Sequence, residues 1–322
     1  MTPRVSVIVP VHRPTETFRR CVRETLALPG GTHELVVVSD TAIEALPEGV
    51  KLVVTGSSTD TSPAEKRDAA SDIAQGEILA FIDDDAFPAR DWLNRALARF
   101  EDSSVAAVGG PGLTPPGSPF RERTGGAFYE SYFGSGHLRA RFQPVGGVRP
   151  VDDWPAFNFF VRREALSAVG GWQSTFYGGE DTKLCLALRG AGYRIVYDPE
   201  VVVYHHRRPI FGPHLRQVGN VGRHRGYFVR AFSDTSARPI YFAPAVGTVL
   251  LGVAAALALR RPRGRLGLLV ASAGAVVAIA ADARREGHDA GVAAALPAVV
   301  LASHVAYGTQ FIRGLLTPVL ER

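Results

Sequence analysis

The sequence predicts an α/β protein whose first two-thirds forms a doubly wound sheet, with hydrophobic helices after it. Short apolar, β-branched runs alternate with helical patterns, which is typical of parallel strands joined by crossover helices. Acidic residues stand where two of these apolar runs end. Beyond Ile240 the composition changes to mostly Ala, Val, Leu and Gly.

The strand and helix patterns follow one another in a regular order. The first strand is predicted at Val5–Val11, and a helical pattern begins near Thr15. Further strands are predicted at Glu34–Val38, Lys51–Thr55, Ile78–Ile82, Val105–Val108, Ala156–Val161, Arg194–Tyr197 and Val201–Tyr204. Further helices are predicted at Pro63–Ala74, Ala89–Phe100, Arg163–Val169 and Asp181–Ala191. Gly109–Pro119 has the composition of a loop, and Phe120–Val151 shows no sustained period and receives no assignment.

Three apolar stretches close the chain, at about Tyr241–Leu259, Leu266–Ala281 and Ala290–Tyr307. Spanning a bilayer takes roughly 20 apolar residues, so the first and third are long enough and the second is marginal. They lack the polar stripe of a surface helix and are predicted to be transmembrane or re-entrant helices. The arginine-rich loop Arg260–Arg265 favours the cytoplasmic side, which conflicts with a cytoplasmic amino-terminal domain after one crossing and leaves the number of crossings open.

Charge and cysteine content limit the environment of the chain. The net charge of +5 and the isoelectric point of 9.4 depend largely on arginines in residues 207–238 and beside the apolar stretches. Such residues favour anionic lipid head groups over nucleic acid as partners. Cys21 and Cys185 lie far apart and are expected in the core. We predict a domain over residues 1–206 that faces the cytoplasm at the cell membrane, a basic juxtamembrane segment over 207–239 and a membrane region over 240–322.

Carboxylates follow two predicted strands. Asp40 comes after the second strand, and Asp83, Asp84 and Asp85 come after the fourth. Ligands of open α/β sheets bind beyond the carboxyl ends of the strands, where carboxylates can hold Mg²⁺ or Mn²⁺ together with substrate phosphates. A cation that bridges a diphosphate stabilises the charge on a departing phosphate. An isolated acidic triplet is more often a solvated turn, but its place at the end of a strand favours a metal site.

A second acidic pair, Glu180-Asp181, follows Gly178-Gly179 and opens a predicted helix. Acids at this position stabilise the positive end of the helix dipole. One of the two carboxylates is also suited to remove the proton of an attacking hydroxyl group as a general base. The residues alone leave both roles open.

Several short blocks, in this order and spacing, resemble the family 2 glycosyltransferases, which have the GT-A fold, a doubly wound, Rossmann-like nucleotide-binding sheet. The resemblance covers roughly Val5 to His206. The blocks are Val5–Val11, Val37–Asp40, Pro63–Asp68, Gly76–Asp85, Phe157–Arg163, Gly170–Trp172, Gly179–Asp181, Leu184–Leu188, Gly192–Ile195 and Val203–His206. The block that ends at Asp83-Asp84-Asp85 is similar to the one that carries the DXD metal motif of the family.

The resemblance implies an inverting, metal-dependent sugar transfer and a role for each matched residue. Asp181 is implied as the catalytic base, with Glu180 beside it. The implied contacts to the nucleotide sugar are Pro10, Val11, Asp40, Arg67, Asp83 and Asp84. Asp85 is implied as the more direct ligand of Mn²⁺ or Mg²⁺, with Asp83 and His205 as further ligands, and Asn158 and Trp172 are implied on the acceptor side.

The chain departs from the family pattern at three matched positions. Thr41-Ala42 stands where Gly-Ser is frequent, Asp68 where Asn is usual, and Lys183 where an acid commonly follows the base. A Gln-x-x-Arg-Trp block, usual in processive synthases, does not follow Asp181, so transfer of a single sugar to a lipid-linked or glycan acceptor is favoured. The alternatives are a non-catalytic sugar-binding or scaffold protein and a nucleotidyltransferase, although the turn His12–Thr15 lacks the glycine-rich loop of the latter.

Overall fold

The chain folds into two compact units. The computed structural model describes residues 4–29, 33–56, 61–174, 176, 178–260 and 262–320. The first, here called the sheet unit, comprises Met1–Pro115 and Gln143–His206. The second, here called the helical unit, comprises Pro116–Phe142 and Arg207–Leu320. Of the segment without a sequence assignment, residues 120–142 thus belong to the helical unit and residues 143–151 to the sheet unit. The three-part division at residues 206 and 239 stays a prediction.

Two sheets form within the sheet unit. The strands are β1 Val5–Val11, β2 His33–Ser39, β3 Val50–Val54, β4 Ile78–Ile82, β5 Ala86–Pro88, β6 Val105–Gly109, β7 Gly112–Leu113, β8 Arg149–Pro150, β9 Asn158–Arg162, β10 Arg194–Tyr197 and β11 Val203–His205. The main sheet has the order β3-β2-β1-β4-β9-β6-β10-β8, and the small sheet has the order β5-β11-β7.

One half of the main sheet, from β3 to β4, is parallel. β1 pairs in parallel with both β2 and β4, and β2 pairs in parallel with β3. Val7, Ile8 and Val9 are fully buried, as expected for a strand covered on both faces. β9 runs antiparallel between β4 and β6, so the sheet is mixed, as the GT-A fold class allows. The carboxyl ends of β1, β2 and β4 lie at one edge, where the candidate site forms.

The helices are α1 Glu16–Leu26, α2 Pro63–Ile73, α3 Trp92–Arg99, α4 Phe120–Glu130, α5 Tyr132–Ser135, α6 Arg163–Ala168, α7 Glu180–Gly190, α8 Gly212–Ala231, α9 Ser233–Ser236, α10 Pro239–Arg260, α11 Pro262–Arg285 and α12 Ala290–Leu316. The predicted helices of the sheet unit agree with the structure to within three residues at each end, whereas α4, α5, α8 and α9 were not predicted. α2 begins with a capping box in which Ser62 and Glu65 satisfy each other's backbone N–H groups. The predicted loop Gly109–Pro119 contains β7, because the small sheet supplies pairing partners that are distant in sequence.

Three helices of the helical unit, α10, α11 and α12, are long and apolar enough to cross a membrane. The stretch that was marginal by sequence length is a helix of 24 residues. α12 packs against α4, α8, α10 and α11, and its inward face includes Leu296, Val299 and Phe311. Most side chains of α10 and α11 remain exposed, which is the pattern expected of surfaces that face lipid.

A glycine allows α8 and α12 to approach closely. A Cβ atom on Gly226 would lie 2.0 Å from the carbonyl oxygen of Phe311. We therefore expect Gly226→Ala to destabilise the helical unit by about 1–3 kcal/mol, because overpacking forces neighbouring backbone to move. The check is thermal unfolding of the purified full chain in detergent. Gly247→Ala on α10 is the matched control, since a Cβ there meets nothing within 4 Å; equal unfolding temperatures for the two variants would contradict the expectation.

Candidate active site

The small sheet brings a histidine to the acidic turn after β4. β11 pairs with β5, and this register places His205 opposite Ala86. The Nε2 atom of His205 lies 2.9 Å from Oδ1 of Asp85, and the backbone N–H of His206 donates to the carbonyl oxygen of Asp85 at 2.9 Å. Two residues that are 120 apart in sequence thus meet at the carboxyl edge of the main sheet.

Asp83, Asp85 and His205 together form a candidate metal site. Each offers one ligand atom, and these atoms all lie within 4.8 Å of one another. His205 is 9% exposed and packs against Phe157, with the ring centroids 4.8 Å apart. Two carboxylates and one imidazole suit Mn²⁺ or a similar divalent cation, and Mg²⁺ accepts the carboxylates more readily than the imidazole. The residues present therefore fit the cofactor that the sequence predicts.

Arg67 connects the acidic turn to the beginning of α7. Its Nη2 atom lies 3.0 Å from Oδ1 of Asp83, and its Nη1 atom lies 3.0 Å from Oε1 of Glu180. Arg67 is 3% exposed, and its guanidinium lies over the ring of Trp172, with Cζ 4.8 Å from the ring centroid. Burial disfavours the charged form, but the carboxylates of Asp83 and Glu180 outweigh it and raise the pKa of Arg67. Arg67 is therefore a permanent cation that holds two candidate site residues.

The beginning of α7 presents its two acids differently. Gly179 has φ +84°, a left-handed conformation that favours glycine, and directs the chain into the helix. Glu180 turns inward to Arg67 and accepts a hydrogen bond from the N–H of Gly178 at 3.0 Å. Asp181 is partly exposed, and its Oδ1 accepts from the N–H of Thr182 at 2.7 Å. The geometry thus leaves Asp181 as the more accessible acid and gives Glu180 a supporting position.

Asp40 is held by a buried lysine that the sequence reasoning missed. The Nζ atom of Lys66 lies 2.8 Å from Oδ2 of Asp40 and donates to the carbonyl oxygen of Val11 at 2.8 Å. Thr55 and the N–H of Thr61 donate to Oδ1 of Asp40. Burial raises the pKa of Asp40, but hydrogen bonds from Lys66, Thr61 and Thr55 outweigh it and lower the pKa to about 2. The ammonium group of Lys66 therefore connects the end of β1 to the acid that follows β2.

The position of Lys66 in the sequence indicates that its side chain is buried. It precedes Arg67 on α2, and the other inward-facing residues of that helix are Ala64 and Ala70. A lysine beside small apolar residues on an inward face is uncommon unless it is paired with an acid. Helical periodicity could therefore have identified it, but its partner Asp40 could not be named without the structure.

Asp68, the residue where the family usually has Asn, fixes the loop after α6. Its Oδ1 accepts from the N–H of Trp172 at 2.8 Å, and its Oδ2 accepts from the N–H of Gln173 at 3.2 Å. Burial raises the pKa of Asp68, and these hydrogen bonds oppose part of the increase. Asp68 therefore supports the ring of Trp172 beneath Arg67, which is a role that needs acceptor oxygens rather than an amide.

Asn158 and Trp172, which the resemblance implies on the acceptor side, are both buried. Asn158 is fully buried, accepts from Trp92 Nε1 at 2.8 Å and donates to the carbonyl oxygens of Val201 at 2.7 Å and Pro111 at 3.2 Å. Trp172 is 1% exposed, and its ring lies 4.9 Å from that of Phe81. Both residues support the site from within. Pro10 and Asp84 are partly exposed, at the ends of β1 and β4 respectively.

A family model described as "Glycosyl transferase family group 2" matches residues 78–219, a range that includes the acidic turn, Asp181 and His205. The Pre-mycofactocin glycosyltransferase of Mycobacterium tuberculosis is 29% identical over 210 residues, which are 63% of this chain and 43% of the mycobacterial protein. Glycosyltransferase AglE of Haloferax volcanii is 26% identical over 237 residues, which are 69% of this chain and 72% of that protein. The chain thus spans less than half of the mycobacterial relative.

Solved structures show the same fold. A mannosyltransferase of Pyrobaculum calidifontis, in complex with GDP-Man and Mn²⁺, superposes with a TM-score of 0.53 and 21% identity over 95% of this chain and 87% of that one. GalNAc-T7, in complex with UDP, GalNAc and Mn²⁺, superposes with a TM-score of 0.50 and 16% identity over 74% of this chain and 52% of that one. Both support a GT-A sheet. The chain is thus similar to family 2 glycosyltransferases over residues 78–219, and it shares the fold of the two solved structures.

Proposed function

We propose that the chain transfers one sugar from a nucleoside-diphosphate sugar to a hydroxyl group of a lipid-linked or membrane-associated acceptor, with inversion at the anomeric carbon. The observation that carries this proposal is the link that Arg67 makes between Asp83 and Glu180. This link connects the candidate metal site to the end of α7 that carries Asp181. The groups that would bind the departing diphosphate are therefore held close to the carboxylate that would receive the proton of the attacking hydroxyl. The solved relatives that contain GDP-Man or UDP support a nucleotide-sugar donor.

The proposed mechanism is a single displacement. Asp181 accepts the proton of the acceptor hydroxyl as its oxygen forms a bond to the anomeric carbon. The bond between that carbon and the phosphate oxygen breaks on the opposite side, and the nucleoside diphosphate leaves. A divalent cation held by Asp83, Asp85 and His205 would supply Lewis-acid stabilisation of the diphosphate. Asp40, held by Lys66, Thr55 and Thr61, is proposed to contact the nucleoside.

The apolar helices motivate the acceptor class. α10, α11 and α12 would anchor the chain in a membrane, which raises the local concentration of acceptors that carry a lipid. We propose that the sheet unit faces the cytoplasm, where nucleotide sugars are made. In the sequence, the processive block is absent after Asp181, and this supports transfer of one sugar in each encounter.

The test is a panel of UDP-, GDP- and dTDP-sugars incubated with the purified full chain and short-chain polyprenyl phosphates or diphosphates, with Mn²⁺ or Mg²⁺. We expect release of one nucleoside diphosphate that depends on both acceptor and cation, and NMR of the product should show an inverted anomeric centre. Asp85→Ala is expected to lower turnover by about 10²-fold or more, because it removes a ligand of the cation that would stabilise the departing phosphate.

Asp91→Ala, a change on the exposed turn before α3, is the matched control and should keep full turnover. Turnover that survives Asp85→Ala and chelation of the cation would overturn the metal assignment. Donor binding without turnover under any condition would favour the sugar-binding alternative, and release of pyrophosphate from a nucleoside triphosphate would favour a nucleotidyltransferase.

A further inference from the structure

Three arginines of α8 form a line along one side of the helix. Arg216, Arg223 and Arg230 recur at every seventh residue, and such positions return to nearly the same side of an α-helix with a drift of about 20° per step. At about 1.5 Å of rise per residue, successive members lie about 10 Å apart along the axis. Arg216 and Arg230 are exposed, and Arg223 is half-buried. These three residues are called the arginine stripe below.

The charge of the arginine stripe is not neutralised by nearby acids. α8 contains neither Asp nor Glu, and residues 207–265 contain 11 arginines and a single acid, Asp234. Among the described residues, no carboxylate pairs with a member of the stripe, and Arg230 donates to the neutral carbonyl oxygen of Leu315 at 3.3 Å. Other arginines of the helical unit do have acidic partners, as in the pair of Arg123 with Asp289 at 2.8 Å. The stripe is thus a region of net positive charge.

The depth of α8 relative to the apolar surface follows from its packing on α12. Nε2 of His214 lies 2.9 Å from Oγ of Ser303, and Gly222 packs on the backbone of Tyr307. α8 therefore lies along the C-terminal half of α12, which also carries the polar residues Gln310 and Arg313. A helix pair with this many polar groups is stable in the head-group layer, whereas the hydrocarbon layer would leave them without partners.

The same unit exposes large apolar side chains outside α8. Leu250 and Leu257 on α10 are 62% and 60% exposed, and Leu269 on α11 is 68% exposed. Insertion of these helices into a bilayer would hold the whole unit at the membrane, where a basic, partly exposed helix meets the phosphate groups. Arginine binds phosphate through two parallel N–H donors, and its charge is permanent.

We propose that the arginine stripe binds the phosphates of anionic phospholipids and holds α8 in the head-group layer. The stripe would give the chain a preference for anionic over zwitterionic lipid. This interaction does not depend on sugar transfer, so the inference goes beyond the proposed function and can fail or succeed without it.

The test compares lipid preference of the full chain with and without the stripe. The chain is purified in detergent with equal amounts of phosphatidylglycerol and phosphatidylcholine, and native mass spectrometry measures the ratio of the two bound lipids. In the R216Q/R223Q/R230Q variant, we expect the ratio of bound phosphatidylglycerol to bound phosphatidylcholine to fall by about fivefold for each arginine removed. High salt should also lower the preference of the unaltered chain for phosphatidylglycerol, because salt screens exposed charges.

The matched control is R19Q/R23Q/R95Q, which removes three exposed arginines from α1 and α3 of the sheet unit and should keep the preference. The R216K/R223K/R230K variant keeps the charge and should keep most of the preference, which separates a loss of charge from a loss of folding. Unchanged lipid ratios in the glutamine variant would overturn the proposal. An equal loss of preference in the control variant would also overturn it, by showing that net charge rather than the stripe selects the lipid.

Discussion

Asp181→Asn is expected to lower kcat by about 10³-fold with little effect on donor affinity. General-base catalysis contributes about 10²–10⁴-fold, and an amide of the same shape cannot accept the proton of the acceptor hydroxyl. The N–H of Thr182, which donates to Oδ1 of Asp181, can donate equally to the amide oxygen, so the beginning of α7 should keep its conformation. The measurements are the rate of nucleoside diphosphate release at saturating substrates and the equilibrium affinity for the donor.

Asp152→Asn is the matched control for this prediction. Asp152 lies on an exposed part of the sheet unit and pairs with Arg189 at 3.3 Å, with nearly half of its side chain exposed. Loss of such a surface pair changes stability by less than about 1 kcal/mol, and the variant should keep its turnover. If Asp181→Asn kept more than a tenth of the turnover of the unaltered chain, another group would have to act as the base.

Arg67→Met is expected to destabilise the chain by about 3–5 kcal/mol and to abolish measurable turnover. Removing one partner of a buried ion pair leaves an uncompensated charge, and Arg67 is the partner of both Asp83 and Glu180. The side chain of Glu180 is 10% exposed and would lose its charge partner in the protein interior. Without the bridge, the acidic turn and the beginning of α7 are no longer held together. Thermal unfolding and donor affinity measure the two effects separately.

Two further variants test the geometry of this bridge. Arg67→Lys keeps the charge but offers one nitrogen in place of a planar fork, so it should recover part of the stability and little of the turnover. Arg95→Met is the control, because Arg95 and Glu200 form a surface pair at 2.9 Å in which both side chains are about half exposed. It should cost less than about 1 kcal/mol. Similar losses for Arg67→Met and Arg95→Met would contradict the structural role of Arg67.

Much of the sheet could be predicted because its signals are local. β1 has the predicted bounds Val5–Val11, and β2 and β4 match their predicted positions to within one residue at each end. A run of buried branched residues bounded by turn residues is distinctive over a short window. The acids Asp40 and Asp83 stand at the ends of these strands, so their common edge also follows from the sequence once the strands are parallel.

The segment Phe120–Val151 could not be assigned for a physical reason. α4 carries buried residues on much of its circumference, among them Thr124, Gly125 and Phe128, because it packs within the helical unit. A helix covered on several sides has no clear amphipathic period, and glycine further weakens its helical signal. Residues 120–142 of this segment also lie in sequence between two parts of the sheet unit, although they form one compact unit with Arg207–Leu320.

The sequence by itself predicted the α/β fold class, the strand-end acids and the apolar helices, since these depend on short-range periodicity and residue chemistry. Asp181 as the base came only from the family resemblance and stays a proposal. Only the tertiary structure decided which groups meet: Glu180 with Asp83 through Arg67, Lys66 with Asp40, and His205 with Asp85. Each of these contacts joins residues that are 16 to 120 positions apart in the sequence. These contacts form only when the strands and helices pack together, and a local sequence pattern does not specify that packing.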